Sequence, residues 1–355
     1  MKKHRLSVSH LQGIFVLFHI CMVVYAILFL HPYYGSNDEF SLAAIASGAY
    51  GDYTHYFIYL HSGFAWILKF FYMLVPSLNW YTLVMYGLIF LSLTAVGWTW
   101  IRRFPRTGLI MAVLLVLACT QPMYVEMQYT KTAALVTAAG YVLLFCAGRK
   151  EDGRRRLHPG VVSLGIGFLV LGSWIRFQSF GMVSLVAFGM WLALALGAWK
   201  EKEWKIFIRR DCMPCVIAFA LIFGSIVLEN VLVYTPGSPE AHYKEYDKAR
   251  QQLLDFGVPE WDKYQAEYEA LGLTRTDCIN LQNWLIADYD RYTADTFKAI
   301  VAFRQDRPFQ WEYLVDYFVI LWMKPLFLLG ALMTLFWFLS AKDQERRQNW
   351  LAFFK

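Results

Sequence analysis

Charged residues are scarce in this chain of 355 residues, of which 17% are charged and 58% are hydrophobic. A soluble domain of this length would need a larger polar share to cover its surface. The scarcity of charge therefore excludes a single soluble globular domain and places the chain in a lipid bilayer.

Cysteine is also scarce, with six residues in the whole chain. Only Cys278 lies outside the long apolar runs and their entrances, so the sequence offers no external pair for a disulfide. Cys212 and Cys215 have the spacing of a metal or redox motif, but no second pair or nearby His completes such a site. The pattern thus weighs against a disulfide framework and also against a metal or redox site.

Long apolar runs are what the sequence does have, each close to the roughly 20 residues that cross a bilayer as a helix. The first run, Leu11 to Leu30, is too long for a signal peptide and lacks a small-residue cleavage site, so we expect it to stay as an anchor. The pattern predicts an all-α fold, a polytopic transmembrane helical bundle of about eight spans. The spans lie near 12–31, 79–101, 107–123, 129–147, 160–177, 180–199, 212–235 and 313–340.

Basic residues predict the orientation of these spans, because Lys and Arg concentrate in short cytoplasmic loops. The basic clusters share one side only if residues 56–76 do not cross the membrane, so we interpret that stretch as a re-entrant or interfacial helix. The N-terminus is then cytoplasmic, and loops 32–78 and 236–312 are external. The net charge of +6 is thus a topology signal and gives no indication of nucleic-acid binding. The clusters are Lys2, Lys3 and Arg5; Arg102, Arg103 and Arg106; Arg149, Lys150 and Arg154 to Arg156; Lys200, Lys202, Lys205, Arg209 and Arg210; and Lys342, Arg346 and Arg347.

The composition also predicts a division of the chain. Residues 1–235 form the transmembrane bundle with the external juxtamembrane loop 32–78, and residues 236–312 form a small external helical cap. Residues 313–355 form a final span and a cytoplasmic tail, whose last residues resemble the opening of another apolar stretch, as in a truncated copy. Within the cap, apolar periodicity predicts helices over 240–256, 260–271, 277–287 and 294–304, with Thr276 and Thr293 as N-caps.

The acidic pair Asp38 and Glu39 follows the first span and lies on the predicted external side. Ser36 or Asn37 caps a short helix whose first turn holds both acids, where the helix dipole favours negative charge. A surface helix start explains such a pair without any function. The short tether to a span and the interfacial helix that follows favour a functional reading, with a carboxylate held at the height of lipid phosphates.

This arrangement resembles the glycosyltransferase C superfamily over residues 11–101, and the later spans resemble it by topology. The resemblance implies transfer of a sugar from a polyprenyl-phosphate carrier to a glycan, lipid or protein acceptor on the external face. It implies that Asp38 is the catalytic base, with Glu39 beside it, or that the pair ligates a metal as in oligosaccharyltransferase-like members. The chain has the run His55 to His61 where better-known members carry Lys-Pro-Pro or His-Pro-Pro, which leaves the subfamily open.

Such a reaction also needs cations that hold the departing phosphate. Arg176 at the outer end of the fifth predicted span, Lys131 at the start of the fourth and Lys324 within the eighth are candidates. Arg176 and Lys131 equally fit snorkelling to headgroups, and Lys324 equally fits a buried pair with Glu229. His61 is a further candidate ligand of the sugar or diphosphate, although packing among aromatic residues is the commoner role.

We therefore predict an inverting membrane glycosyltransferase of a bacterial plasma membrane, with a polyprenyl-phosphate-linked sugar donor and membrane lipids as partners. The alternative is a transporter, flippase or assembly subunit for cell-surface polysaccharide. A transferase predicts Asp38, Arg176 and Lys324 around one outward-facing cavity, whereas a transporter predicts a through-going path. The sequence contains no complete metal site and leaves a need for Mg²⁺ or Mn²⁺ open.

Overall fold

The computed structural model describes residues 7–303, apart from residues 50, 58, 147–148, 152–153, 157, 201, 203, 287 and 289. The predicted span 313–340 and its Lys324 lie outside the described residues. The described part is all-α, as predicted, with two very short pairs of strands added. It divides into two compact units, one up to Leu232 and the other from Val233.

Helices occupy each span predicted within the first unit. All the described helices of this unit, spanning or not, are α1 Val8–Phe29, α2 Asn37–Ala46, α3 Ser62–Leu74, α4 Trp80–Arg103, α5 Pro105–Cys119, α6 Tyr129–Cys146, α7 Pro159–Ile175, α8 Phe177–Lys200, α9 Trp204–Phe207 and α10 Met213–Leu232. A wider π-helical turn, Thr120–Val125, follows α5. A second one, Ile208–Cys212, precedes α10.

Five helical segments of this unit are long and apolar enough to cross a membrane. This finding indicates a multi-pass membrane protein. The segments are Val8–Phe29, Trp80–Arg103, Pro105–Val125, Phe177–Leu196 and Trp204–Leu232, whereas α6 and α7 are shorter apolar helices.

Helix α3 lies within residues 56–76, the stretch predicted not to cross the membrane. It has 13 residues and would extend about 20 Å as an ideal helix, short of a hydrocarbon core of about 30 Å. The His61 side chain caps its start by accepting from the Gly63 backbone N–H. The length of α3 is therefore consistent with a helix that does not span.

Small residues bring α6 and α7 close together. A side chain at Gly140 would place its Cβ 2.9 Å from the Gly165 carbonyl oxygen, a separation that real Cβ atoms do not reach. The two glycines thus allow the helix backbones to approach each other, as small residues do between helices in membranes. This close packing fixes the end of α7 beside the start of α6, where the candidate site lies.

The segment after α1 is fixed to the segment before α6 by a parallel pair of strands. Strand β1 (Tyr33–Tyr34) pairs with β2 (Glu126–Met127), and the Gly35 N–H donates to the Met127 carbonyl at 2.7 Å. A Cβ at Gly35 would lie 3.1 Å from that carbonyl oxygen. Glycine therefore suits the close approach, which carries α2 against the first turn of α6.

The loop between α6 and α7 contains the second strand pair. Strand β3 (Arg149–Glu151) pairs antiparallel with β4 (Arg154–Arg156). The predicted basic cluster thus adopts a hairpin within an otherwise helical fold, a detail that hydropathy does not reveal.

The second unit is a small helical fold with its own apolar core. Its elements are α11 Pro239–Leu254, a 3₁₀ turn Trp261–Lys263, α12 Gln265–Ala270, α13 Arg275–Gln282 and α14 Ala294–Ala302. Leu253, Tyr268, Leu281 and Phe297 are fully buried in the core. Thr293 caps α14, as predicted, but the single helix predicted over 260–271 is split by Tyr264.

Helix α13 corrects a second prediction, because it begins before the residue predicted to cap it. Thr274, not Thr276, is the N-cap: its hydroxyl accepts from the Asp277 N–H, and the Asp277 carboxylate accepts from the Thr274 N–H at 2.7 Å. This reciprocal capping box satisfies two backbone donors at the helix start. Arg291 and Tyr292 also donate to Asp277, at 2.7 and 2.8 Å. This acid therefore connects the start of α13 to the segment before α14.

Candidate functional site

Glu39 lies in the first turn of α2 and is fully buried, with 0% of its surface exposed. One carboxylate oxygen accepts from the Tyr129 backbone N–H at 2.7 Å. The other accepts from the Ser36 hydroxyl. Ser36 is the N-cap residue by position, yet its side chain bonds Glu39 and not the backbone of α2. Glu39 therefore ties α2 to the start of α6.

The pKa of Glu39 is raised above its ordinary value, chiefly because burial penalises the charged carboxylate. The hydrogen bonds from Ser36 and Tyr129 act in the opposite direction, and the neighbouring negative charge of Asp38 adds to the rise. A buried acid whose two oxygens are both engaged is poorly placed to accept a proton from a substrate. The geometry therefore indicates that Glu39 is a positioning residue, which holds α2 against the start of α6.

Replacing Glu39 by Gln is expected to preserve the fold, whereas replacement by Ala is expected to lower stability by about 1–3 kcal/mol. The Gln amide retains an acceptor for Tyr129 and a donor for Ser36, but Ala leaves the buried Tyr129 N–H unpaired. Because the folded-state pKa of Glu39 is raised, the stability that its protonated form contributes is present below about pH 4.5 and is lost as the pH rises through the folded value.

Thermal unfolding of the two variants in detergent between pH 4 and pH 8 checks this prediction. The midpoint of Glu39→Gln relative to wild type should rise with pH and then level off. Equal destabilisation by Gln and Ala would show that the acid, and not its hydrogen bonds, stabilises the fold.

Asp38 differs from its neighbour in both exposure and partners. It is half-buried, and within the described residues no hydrogen bond or ion pair engages its carboxylate. Its negative charge nevertheless acts on the hydroxyls of Tyr81 and Tyr129. Asp38 is thus the acid of the pair with a free carboxylate that solvent or a ligand can reach.

Arg176 is connected to the acidic pair indirectly, through Tyr129. This residue is the C-cap of α7, and its guanidinium donates to the Tyr129 hydroxyl. The same guanidinium lies 5.4 Å from the centre of the Tyr59 ring and 5.0 Å from that of Tyr129. Tyr129 therefore links the two charges, because its backbone contacts Glu39 and its hydroxyl contacts Arg176.

Tyr59 completes this cation and aromatic cluster with an unusual backbone. Its φ angle of 65° places a bulky residue in the left-handed region, where non-glycine residues occur rarely and often at functional sites. The ring stacks on Tyr129 at 6.1 Å between centres. The strained backbone thus holds an aromatic face beside Arg176.

Tyr81 is a site residue that the sequence does not single out. It is fully buried in α4, and its hydroxyl has no hydrogen-bond partner among the described residues. Glu39, Tyr129, Tyr34 and Asp38 all act on it electrostatically. A buried polar group without a partner is uncommon and calls for an explanation. A tyrosine in an apolar span gives no such signal in the sequence.

Glu229 and His61 form a separate polar cluster at the start of α3. One Glu229 oxygen accepts from the Ser62 N–H at 2.6 Å, and the other lies 3.6 Å from the His61 ring nitrogen. Burial lowers the pKa of His61, against the opposing effect of Glu229. The ring also stacks on Trp174 at 5.0 Å. Both residues thus have packing and capping contacts, and the predicted partner Lys324 lies outside the described residues.

Lys131 is the third residue of α6 and is engaged by Glu126. Its ammonium donates to the Glu126 backbone carbonyl at 2.7 Å and lies 3.5 Å from the Glu126 carboxylate. The charge of Lys131 is therefore largely compensated within the protein. Two described cations were predicted to bind phosphate. Arg176, and not Lys131, is the one whose charge is available beside the acidic pair.

Within the described ranges, no three His, Cys, Asp or Glu side chains lie close enough together to hold a metal ion. The chain matches no protein-family model, no curated protein and no solved structure.

Proposed function

We propose that this chain is a membrane glycosyltransferase of the glycosyltransferase C type, transferring a sugar from a polyprenyl-phosphate carrier to a glycan, lipid or protein acceptor. One observation carries the proposal. The Arg176 guanidinium donates to the Tyr129 hydroxyl, and the Tyr129 N–H donates to Glu39, whose neighbour Asp38 has a carboxylate that no described residue engages. An available base beside a cation is the pair that this transfer requires.

Asp38 serves as the general base in this mechanism. It takes the proton of the acceptor hydroxyl, whose oxygen then forms a bond to the anomeric carbon from the face opposite the carrier. The bond from that carbon to the phosphate oxygen breaks, and polyprenyl phosphate leaves with the bonding electrons. The configuration at the anomeric carbon is inverted, and the proton passes from Asp38 to solvent.

Arg176 serves to stabilise the departing phosphate, whose negative charge grows as the bond breaks. A guanidinium matches two phosphate oxygens with parallel N–H donors, which suits this role. Tyr59 is half-buried and offers an aromatic face to a sugar ring beside Arg176. Tyr129 and Tyr81 are fully buried, so they position these groups and do not contact the sugar. The site therefore contains a base, a cation and one aromatic surface for a sugar.

The outer face of the membrane is the proposed location of this reaction. The site gathers residues from α2, the end of α7 and the starts of α4 and α6, and basic clusters lie at the opposite ends of α4, α6 and α7. Basic loops favour the cytoplasm. With eight spans, the site then faces the outside of a bacterial plasma membrane, where polyprenyl-linked sugars meet their acceptors.

Measurement of the donor lipid that accumulates in cells lacking this protein tests the proposal. Deletion of the encoding sequence should cause one polyprenyl-linked sugar to accumulate several-fold in lipid extracts analysed by mass spectrometry, and re-expression should reverse the accumulation. An unchanged profile of polyprenyl-linked sugars would contradict the proposed donor class.

A further inference from the structure

An apolar cavity of about 480 Å³ lies between α6, α8 and α10, and the proposed reaction does not use it. Its lining includes Phe145, Ala187, Trp191, Cys215, Phe219 and Phe223. The Tyr141 hydroxyl and Ser184 also line it, but they hydrogen-bond each other at 2.8 Å. The cavity has the size of a small-molecule site, and its polar groups are already satisfied, so its chemistry suits a hydrocarbon chain.

The cavity is distinct from the Asp38 site. Phe145 lies near the end of α6, whereas Tyr129 begins that helix, and an ideal helix separates them by about 24 Å. The two other walls, α8 and α10, belong to segments apolar and long enough to cross a membrane. Phe188 and Phe223 at the rim are 51% and 53% exposed, so the cavity borders the region that lipid chains would occupy.

Cationic side chains lie near the end of the cavity that Cys212 lines. Arg209 lies three residues before Cys212, within the π-helical turn Ile208–Cys212, an axial distance of about 5 Å. Arg210 is bonded to the buried carboxylate of Asp211. Arg209 and Lys205 are exposed, and neither has an ion-pair partner in the part of the chain that the structure describes. Among the described residues, positive charge without an ion-pair partner thus adjoins an apolar cavity.

We propose that this cavity binds one acyl chain of an anionic glycerophospholipid, with the lipid phosphate held by Arg209 and Lys205. Charge complementarity favours an anionic headgroup, because basic residues at the end of a span attract anionic lipids. The wider π-helical turn at the cavity end fits this role, since such turns occur frequently at functional sites. The inference is independent of the glycosyltransferase proposal.

Native mass spectrometry of the purified full chain in detergent tests this lipid site. With an equimolar mixture of phosphatidylglycerol and phosphatidylcholine, wild type should retain one phosphatidylglycerol in at least tenfold preference. Ala220→Trp places a large ring at the cavity wall and should reduce retention at least tenfold. Arg209→Gln should abolish the preference for the anionic lipid.

Two matched variants control for effects on folding and on charge. Leu185→Trp adds the same ring to a residue of α8 that is 75% exposed and outside the cavity lining, and Arg102→Gln removes a cation from another basic cluster. Both should retain phosphatidylglycerol as wild type does. Equal losses in a variant and its control would overturn the proposal, as would retention of added polyprenyl phosphate in place of phosphatidylglycerol.

Native thiols supply a second measurement that needs no substitution. Cys215 lines the cavity, whereas Cys21 is an exposed thiol in α1. Added phosphatidylglycerol should slow alkylation of Cys215 by N-ethylmaleimide at least threefold and leave the rate for Cys21 unchanged. Identical rates for Cys215 with phosphatidylglycerol and with phosphatidylcholine would overturn the assignment.

Discussion

Replacing Asp38 by Asn is expected to lower the rate of sugar transfer by about 10²–10⁴-fold, the usual contribution of a positioned general base. Asn has nearly the same shape but accepts no proton at neutral pH. Since no hydrogen bond or ion pair engages Asp38 among the described residues, the change should leave folding and membrane insertion intact. The measurement is the initial rate at which purified protein in proteoliposomes releases polyprenyl phosphate from the donor lipid.

Asp52→Asn is the matched control, because Asp52 is an exposed acid in the same loop. Its rate should stay within about twofold of wild type, as expected for a surface substitution away from the site. Glu39→Gln separates the two acids of the pair, since it keeps the contacts that fix α2 and should retain most of the activity. Full activity of Asp38→Asn would remove Asp38 from the reaction.

Replacing Arg176 by Gln is expected to lower kcat/KM by about 10²–10³-fold, comparable with the loss of one donor to a developing negative charge. Gln shortens the side chain and removes the charge beside Tyr59 and Tyr129. Arg176→Lys should recover only part of the loss, because an ammonium does not reproduce the paired donors of a guanidinium. Steady-state kinetics with the donor lipid provide the comparison.

Lys131→Gln is the control for loss of positive charge near the site. Its ammonium is already engaged by the carbonyl and carboxylate of Glu126, so we expect less than about a threefold change in kcat/KM. Unfolding midpoints measured in parallel separate binding from stability. A similar small loss of kcat/KM in the Arg176 and Lys131 variants would contradict a phosphate role for Arg176.

The helices and the acidic pair could be predicted because their signals are local. Hydropathy identifies runs such as Val8–Phe29, and the Asp and Glu in the first turn of α2 are a recognisable helix start. Arg176 was predicted as a cation at a helix end, and the fold brings it to Tyr129 beside the acidic pair. Local pattern thus predicted which residues are unusual, but not which of them meet.

The contacts that distinguish the two acids depend on long-range packing. Glu39 meets Tyr129 across 90 residues of sequence, and nothing in an alternation of apolar residues specifies that partner. The unpaired hydroxyl of Tyr81 and the contact between Glu229 and Ser62 arise in the same way. The misplaced cap at Thr276 has a different cause, since Thr274 lies three residues before Asp277, the spacing that a capping box requires.

The fate of the donor lipid in sealed proteoliposomes tests the transferase most directly. The lipid that accumulates in deletion cells would be incorporated with purified wild-type protein and a membrane extract as the source of acceptor, and then analysed by mass spectrometry. A transferase predicts loss of the sugar-linked lipid and release of an equal amount of polyprenyl phosphate, with little release by Asp38→Asn. Recovery of the intact donor, moved from one leaflet to the other by both proteins, would contradict it and identify a flippase.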